Sequence, residues 1–260
     1  MKVLFIGDVV GRVGRIAVRS LLPNIVSRYK IDVVIANGEN VAGGFGITEL
    51  TAFELFTVGI QVITTGNHVW DKKETLEYIS REPRLLRPLN YPPGAPGASS
   101  AVISLPEGKK LAVLNVSGRI FMQSLDCPFR TAQAEIERLR GITSNIIIDF
   151  HAEATSEKIS FGYYVDGTAS AVVGTHTHVQ TADEKILEGG TAYITDVGMT
   201  GPVNSVIGID RHQIVERFLT MMPRKFEVAS GKAILCAVVI ELDASNGRAT
   251  AIQRLQLTHP

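Results

Sequence analysis

Asp8, Glu39, Asn40, Asn67, His68, His151, His176 and His178 are residue types that bind or serve metal ions, and each stands in a short polar burst after an apolar run. Four of the chain's six histidines are among them. His151 follows Ile146-Ile-Ile-Asp-Phe150, and His176-Thr177-His178 comes soon after Ala171-Val-Val-Gly174. If that last segment is extended, His176 and His178 share a face, because strand side chains repeat every two residues. Imidazoles so placed can hold one metal ion or two adjacent ones. Imidazole, carboxylate and amide oxygen without thiolate suit iron, manganese or zinc rather than calcium. Singly, each residue has a plainer explanation. His68 can be a hydrogen-bonded structural histidine, Asp8, Glu39 and Asn40 can cap following helices, and Asn67 can be a left-handed turn residue. Their conjunction points to metal-assisted hydrolysis of phosphate esters.

Such residues meet only if the elements before them end along one edge. Residues 3–6, 32–36 and 61–64 read as buried strands, each followed by a glycine or asparagine turn. Helices follow in turn. Val18, Leu21, Leu22, Ile25, Val26 and Tyr29 recur at helical spacing, with Pro23 predicting a kink or break. A second helix spans about 48–58 with Thr48 as its cap, and a third, polar one about 72–80. Three strand–turn–helix units in succession imply a parallel sheet, whose carboxyl edge is where open α/β sheets bind ligands. Residues 87–97 hold four of the 11 prolines and read as a surface loop crossing to the second half. Strands are expected at 100–105, 110–116, 145–150, 169–173 and 191–195. The pair at 234–242 and 249–255 alternates better, as an antiparallel edge or hairpin does. Helices are expected at 131–140 and 212–221.

Bulk composition narrows the class. The apolar fraction of 45% is that of an ordinary globular protein, and 26 basic residues balance 26 acidic ones. No global field steers the chain toward nucleic acid or an anionic membrane. Cys127 and Cys236 form no Cys-x-x-Cys pattern and suit a reducing compartment. The opening apolar run is too short for a signal peptide, and no stretch approaches the roughly 20 apolar residues of a membrane helix. A cytoplasmic protein is expected.

The motifs resemble those of the calcineurin-like metallophosphoesterases: Gly7-Asp8, Gly38-Glu39-Asn40, Gly66-Asn67-His68, a lone His151, and Gly174-Thr175-His176-Thr177-His178, in that order. Longer stretches resemble the YmdB-like branch of that superfamily. They are Gly38-Glu-Asn-Val-Ala-Gly-Gly-Phe-Gly46, Gly66-Asn-His-Val-Trp-Asp71, Asp149-Phe-His-Ala-Glu-Ala-Thr-Ser-Glu-Lys158 and Asp196-Val-Gly-Met-Thr-Gly201. The resemblance implies an α/β fold, a four-layer αββα sandwich of two mixed sheets flanked by helices, as a single domain over residues 1–260. It also implies two metal ions per chain, with iron or manganese favoured and zinc an option. Metal one would be held by Asp8, Glu39, Asn40 and His178, and metal two by Glu39, Asn67, His151 and His176. Glu39 would bridge them, offsetting their repulsion while they activate water and clamp phosphate oxygens. His68 would face the phosphate and stabilise or protonate the leaving oxygen. Two departures from the wider pattern stand out: Asp-x-His becomes Asp8-Val9-Val10, and the bridging acid is Glu39 instead of aspartate. Asn40 would fill the place of the missing histidine.

The resemblance therefore implies a phosphodiesterase acting on 2′,3′-cyclic nucleotides by attack of a metal-bridging hydroxide. A phosphomonoesterase or nuclease would use the same site, although neutral net charge weighs against long nucleic acid. A regulatory nucleotide- or partner-binding protein with little turnover is the rival from another class. A metal amidohydrolase lacks its further ligand cluster here. Gly7, Gly11 and Gly14 have the wrong spacing for a dinucleotide fingerprint and suggest close backbone approach near the metal site. Arg119 and Asn90 are candidates for substrate contact, with a surface salt bridge as the alternative for Arg119. Glu153 and Glu157 are placed on one helix face, solvated in preference to supporting the site. His212 and His259 join no cluster. A homo-oligomer is expected on the general habit of enzymes.

Overall fold

Val3, Leu4, Phe5 and Ile6 are all wholly buried, which requires apolar partners on both faces of the strand they form. The computed structural model describes residues 1–260 and supplies them. In chain order the elements are β1 (Lys2–Ile6), β2 (Asp8–Val9), α1 (Gly11–Tyr29), β3 (Val33–Asn37), α2 (Glu49–Thr57), β4 (Val62–Thr64) and α3 (Thr75–Arg81). Then come β5 (Ser100–Ser104), β6 (Lys110–Ser117), α4 (Pro128–Arg140), β7 (Ile146–His151), α5 (Thr155–Tyr164) and β8 (Ala171–Thr175). The last are β9 (Lys185–Ile186), β10 (Ala192–Ile194), β11 (Met199–Pro202), α6 (Arg211–Thr220), β12 (Ala233–Leu242) and β13 (Ala249–His259).

Two mixed sheets result. In the first, β1, β3 and β4 are parallel, β12 runs antiparallel to β1, and β12 also pairs with β11 and β13. In the second, β6, β7, β8 and β10 are parallel, flanked by antiparallel β5 and β9. The pleat of β1 sends Val3 and Phe5 into one buried cluster and Leu4 and Ile6 into another. The cluster holding Val3 and Phe5 includes Val113, Ile147, Val173 and Ile194 of the second sheet, so it lies between the sheets. A second cluster joins Leu4 and Ile6 to Val18, Leu22 and Leu55 of α1 and α2, and a third joins Ile148 and Phe150 to Ile136 and Phe161 of α4 and α5. Each fully buried aliphatic side chain contributes about 1.5–3 kcal/mol.

Several sequence expectations need correction. Pro23 does not break α1, which runs from Gly11 to Tyr29 with Pro23 on its exposed face. Helix α3 starts three residues later than expected, after a turn over 72–74. The expected antiparallel hairpin is found as β12 and β13, with β12 interior and β13 at the edge. The helix beyond His151 starts only at Thr155, so α5 carries Glu157 but not Glu153. Thr48 does cap α2, exchanging hydrogen bonds with Thr51.

The early glycines admit close approach, but of backbone to backbone. A Cβ on Gly7 would sit 1.8 Å from the Gly198 carbonyl oxygen, and one on Gly14 2.3 Å from that of Thr200. Their bareness lets β11 lie against β2 and α1. No helix is long and apolar enough to cross a membrane. Gly14→Ala is therefore expected to destabilise the protein by about 1–3 kcal/mol. Urea unfolding checks this, and an unchanged midpoint would show that β11 can shift freely.

Candidate metal centre

Five strand ends deliver the polar bursts to one place. Asp8 follows β1, Glu39 and Asn40 follow β3, and Asn67 and His68 follow β4; His151 ends β7, and His176 and His178 follow β8. Three clusters come from the first sheet and two from the second. Asp8, Glu39, Asn40 and His151 are buried. His151 Nε2 lies 3.1 Å from Glu39 Oε1, 3.0 Å from Asn67 Oδ1 and 3.0 Å from His176 Nδ1. Asn40 Nδ2 lies 3.2 Å from His178 Nε2 and 3.4 Å from Glu39 Oε1, while His178 Nε2 is 3.7 Å from Asp8 Oδ1. The atoms form two groups, and Glu39 belongs to both.

Each imidazole is oriented by a partner on its other nitrogen. Thr175 Oγ1 donates its proton to Asp149 Oδ1 at 2.7 Å, so it can only accept from His151 Nδ1 at 2.9 Å. His178 Nδ1 donates to the Ile207 carbonyl at 2.8 Å. His176 Nε2 lies 3.0 Å from Glu153 Oε2. The remaining nitrogens, His151 Nε2, His176 Nδ1 and His178 Nε2, face the centre. Such carboxylate and carbonyl partners are the usual means of fixing a metal-binding tautomer.

The electrostatics call for positive charge. Burial works against a charged His151, but the carboxylates of Glu39, Asp8 and Asp149 together outweigh it and push the imidazole up to about 9. Burial would raise Glu39, and His151 and His68 together outweigh it, drawing the carboxyl down to about 2. For His176, burial and then the neighbouring His151 act together and push it down to about 3. Burial raises Asp8, and its Oδ1 is buried without a hydrogen-bond partner. Two ring nitrogens 3.0 Å apart repel unless a proton or cation lies between them. Glu39, His151 and His176 each offer an atom within 4.8 Å of the others. The donor set and the orphaned Asp8 oxygen fit a divalent cation.

A family model described as YmdB-like protein matches residues 4–255. The chain belongs to the YmdB-like family. A Bacillus subtilis (strain 168) relative named 2′,3′-cyclic-nucleotide 2′-phosphodiesterase is 51% identical over 255 residues, covering 98% of this chain and 96% of that one. The solved structure of a hypothetical protein from Thermus thermophilus matches with a TM-score of 0.94 at 44% identity, covering 100% of both chains. That of a novel phosphatase from Mycoplasma pneumoniae matches with a TM-score of 0.92 at 34% identity, covering 99% of this chain and 93% of that one.

In this YmdB-like chain His68 stands at the rim, in a cavity of about 230 Å³ shared with Phe45, Ile207 and Glu153. Its Nδ1 lies 2.7 Å from Asp71 Oδ2, its ring meets Phe45 edge-on at 5.1 Å, and its backbone N–H donates to Glu39 Oε2 at 3.0 Å. The His-x-His pair is not extended: β8 ends at Thr175, and His176 and His178 have φ of +100° and +67°. Glu153 precedes α5 and partners His176, whereas Glu157 lies inside α5, buried, and accepts from the Arg119 and Ile120 amides, so the shared solvated face is not found. Asn90 is no substrate contact. It is buried and latches Ser117 and the Asp126 carbonyl. Arg119 is exposed and has no carboxylate partner within 4 Å.

Sequence reasoning missed Asp149, although an acid inside Ile146-Ile-Ile-Asp-Phe150 is a signal. It is fully buried, accepts from Asn37, Thr64 and Thr175, and burial pushes its carboxyl up to about 6. The roles of Asp71 and the Ile207 carbonyl were equally unmarked, whereas Glu153 supports the site where a solvated position was favoured. In chelator, Asp8→Asn is expected to raise stability by about 1 kcal/mol, because it removes a buried carboxylate with an unpartnered oxygen. A lower urea midpoint at unchanged slope would contradict this account of Asp8.

Proposed function

We propose that this phosphoric ester hydrolase is a dinuclear-metal phosphodiesterase whose substrates are 2′,3′-cyclic nucleotides. The observation that carries the reading is the position of Glu39, one buried carboxylate between His151 on one side and, on the other, the Asn40 side chain that also reaches His178. Asp8, Asn40 and His178 would complete one site with it, and Asn67, His151 and His176 the other. The name of the Bacillus subtilis relative supports the substrate. When bound, two iron, manganese or zinc ions supply a hydroxide nucleophile near neutral pH and positive charge for the phosphate oxygens.

The chain's own residues do the rest. Asp71 holds His68 Nδ1, which leaves Nε2 to hand a proton to the leaving ribose oxygen. The bond from the His68 amide to Glu39 fixes the distance between that acid and the shared carboxylate. Val10, Phe45, Ile207 and Ile209 give the cavity an apolar wall suited to a small, partly apolar substrate. The three buried clusters support an αββα layering of one domain over 1–260. Two free thiols, Cys127 and Cys236, support a cytoplasmic setting. A homo-oligomer is part of the reading on enzyme habit alone.

The test is metal content per chain, by elemental analysis of protein purified without chelator, with turnover of 2′,3′-cyclic AMP. About two equivalents are expected in wild type, and loss in Asp8→Ala/His176→Ala. His68→Ala should keep its metal and lose about 10²–10⁴-fold in kcat. Protein that neither carries nor takes up metal sinks the mechanism. Equal, negligible turnover in wild type and His68→Ala would instead favour a binding protein.

A further inference from the structure

A buried ion pair outside the proposed ligand set grips the turn that carries two of its histidines. Lys158 on α5 is 1% exposed, and Asp196, in the link between β10 and β11, is fully buried. Lys158 Nζ lies 2.7 Å from Asp196 Oδ2 and donates to the Thr175 carbonyl at 2.8 Å. The same Asp196 oxygen accepts from the Thr177 amide at 3.1 Å and the Thr177 hydroxyl at 2.7 Å. Asp196 Oδ1 accepts from the Gly198 amide at 2.8 Å. Residues 175 and 177 are thus fastened to one charge pair on either side of His176. The bareness of Gly174 makes room for it: a Cβ there would lie 3.3 Å from Lys158 Cδ and 1.7 Å from the Thr195 carbonyl oxygen.

The turn needs a clamp. His176 and His178 both hold left-handed backbone, which costs a residue with a Cβ roughly 1–2 kcal/mol. Relaxing either φ would swing a ring nitrogen away from the centre. Stability alone does not account for the pair, since replacing a buried ion pair by well-packed apolar residues is often neutral or stabilising. What apolar residues could not supply is a donor for the Thr175 carbonyl and an acceptor for both Thr177 groups.

The geometry points to Lys158 and Asp196 as a positioning pair that sets metal affinity by holding His176 and His178 in left-handed conformations. Their side chains bind Thr175, Thr177 and each other, and neither residue belongs to the proposed ligand set. This inference rests on the dinuclear reading above, and its test separates the two. Mn²⁺ alone is titrated into wild type, Lys158→Met/Asp196→Asn and Thr177→Val, with Kd taken per folded chain and thermal unfolding followed separately. The double variant removes both charges while keeping an acceptor for Thr177, and Thr177→Val removes only one hydrogen bond at a half-buried site. Mn²⁺ binding is expected to weaken about 10–100-fold in the double variant and about tenfold in Thr177→Val. A Kd within about twofold of wild type in the folded double variant would assign the pair to stability and overturn the inference. Should the double variant fail to fold, Thr177→Val decides by the same criterion. Wild type that binds no Mn²⁺ overturns the dinuclear reading and this inference together, whereas tight wild-type binding with unaffected variants overturns this inference alone.

Discussion

Two carboxylates, Asp8 and Glu39, are carried out of water where the strand ends of both sheets meet, and the chain offers them imidazoles and amides in place of a lysine or arginine. An isolated carboxylate in such surroundings costs several kcal/mol after relaxation. The surrounding residues are arranged to keep that cost from being removed in the easy way. The Glu39 carboxyl is driven down by His151, and the rings are locked by Thr175, Glu153 and the Ile207 carbonyl so that their free nitrogens point inward. A site that concentrates acceptors this way stores an electrostatic demand that a cation satisfies. Two sheets are needed because neither alone brings enough acceptors to one point.

Much of this was legible in the sequence because strand ends are. A buried strand must be a continuous apolar run, so the polar residues that terminate it are conspicuous, and β1, β3, β4, β7 and β8 all announced their ends. What the run could not reveal is backbone conformation past its last residue. His176-Thr177-His178 would share a face if extended, but the segment is not extended. The two rings converge because a left-handed turn redirects them.

Support residues were hidden for a related reason. Glu153 looked like half of an i, i+4 pair with Glu157, yet α5 begins only at Thr155, so the two acids turn to different tasks. Lys158 is indistinguishable in sequence from a solvated helix lysine, and only packing against Gly174 shows that its stem is buried. The alternation at 234–242 and 249–255 read as an antiparallel edge or hairpin, and β12 and β13 do form the hairpin, with β12 inside the sheet. Its other neighbours, β1 and β11, lie far from it in sequence, which local patterning cannot see.

Val10, at the place where the resembled metallophosphoesterase pattern has a histidine, is used by this fold for packing. Val10 is 1% exposed, and its amide donates to the Thr200 carbonyl at 2.9 Å. A Cβ built on Gly208 would meet Val10 Cγ1 at 2.8 Å, so the loop carrying Ile207 and Gly208 is seated directly on the valine. That loop supplies the carbonyl that orients His178. A histidine at this place would have to displace the loop and would thereby release the ring it was meant to assist. Asn40 offers the alternative: the first amide of α1, on Gly11, donates to its carbonyl at 2.9 Å, and its side chain reaches both Glu39 and His178. An apolar wall on one side of Asp8 and an amide on the other therefore form one coherent arrangement, in which Val10 seats the loop whose carbonyl orients the His178 ring.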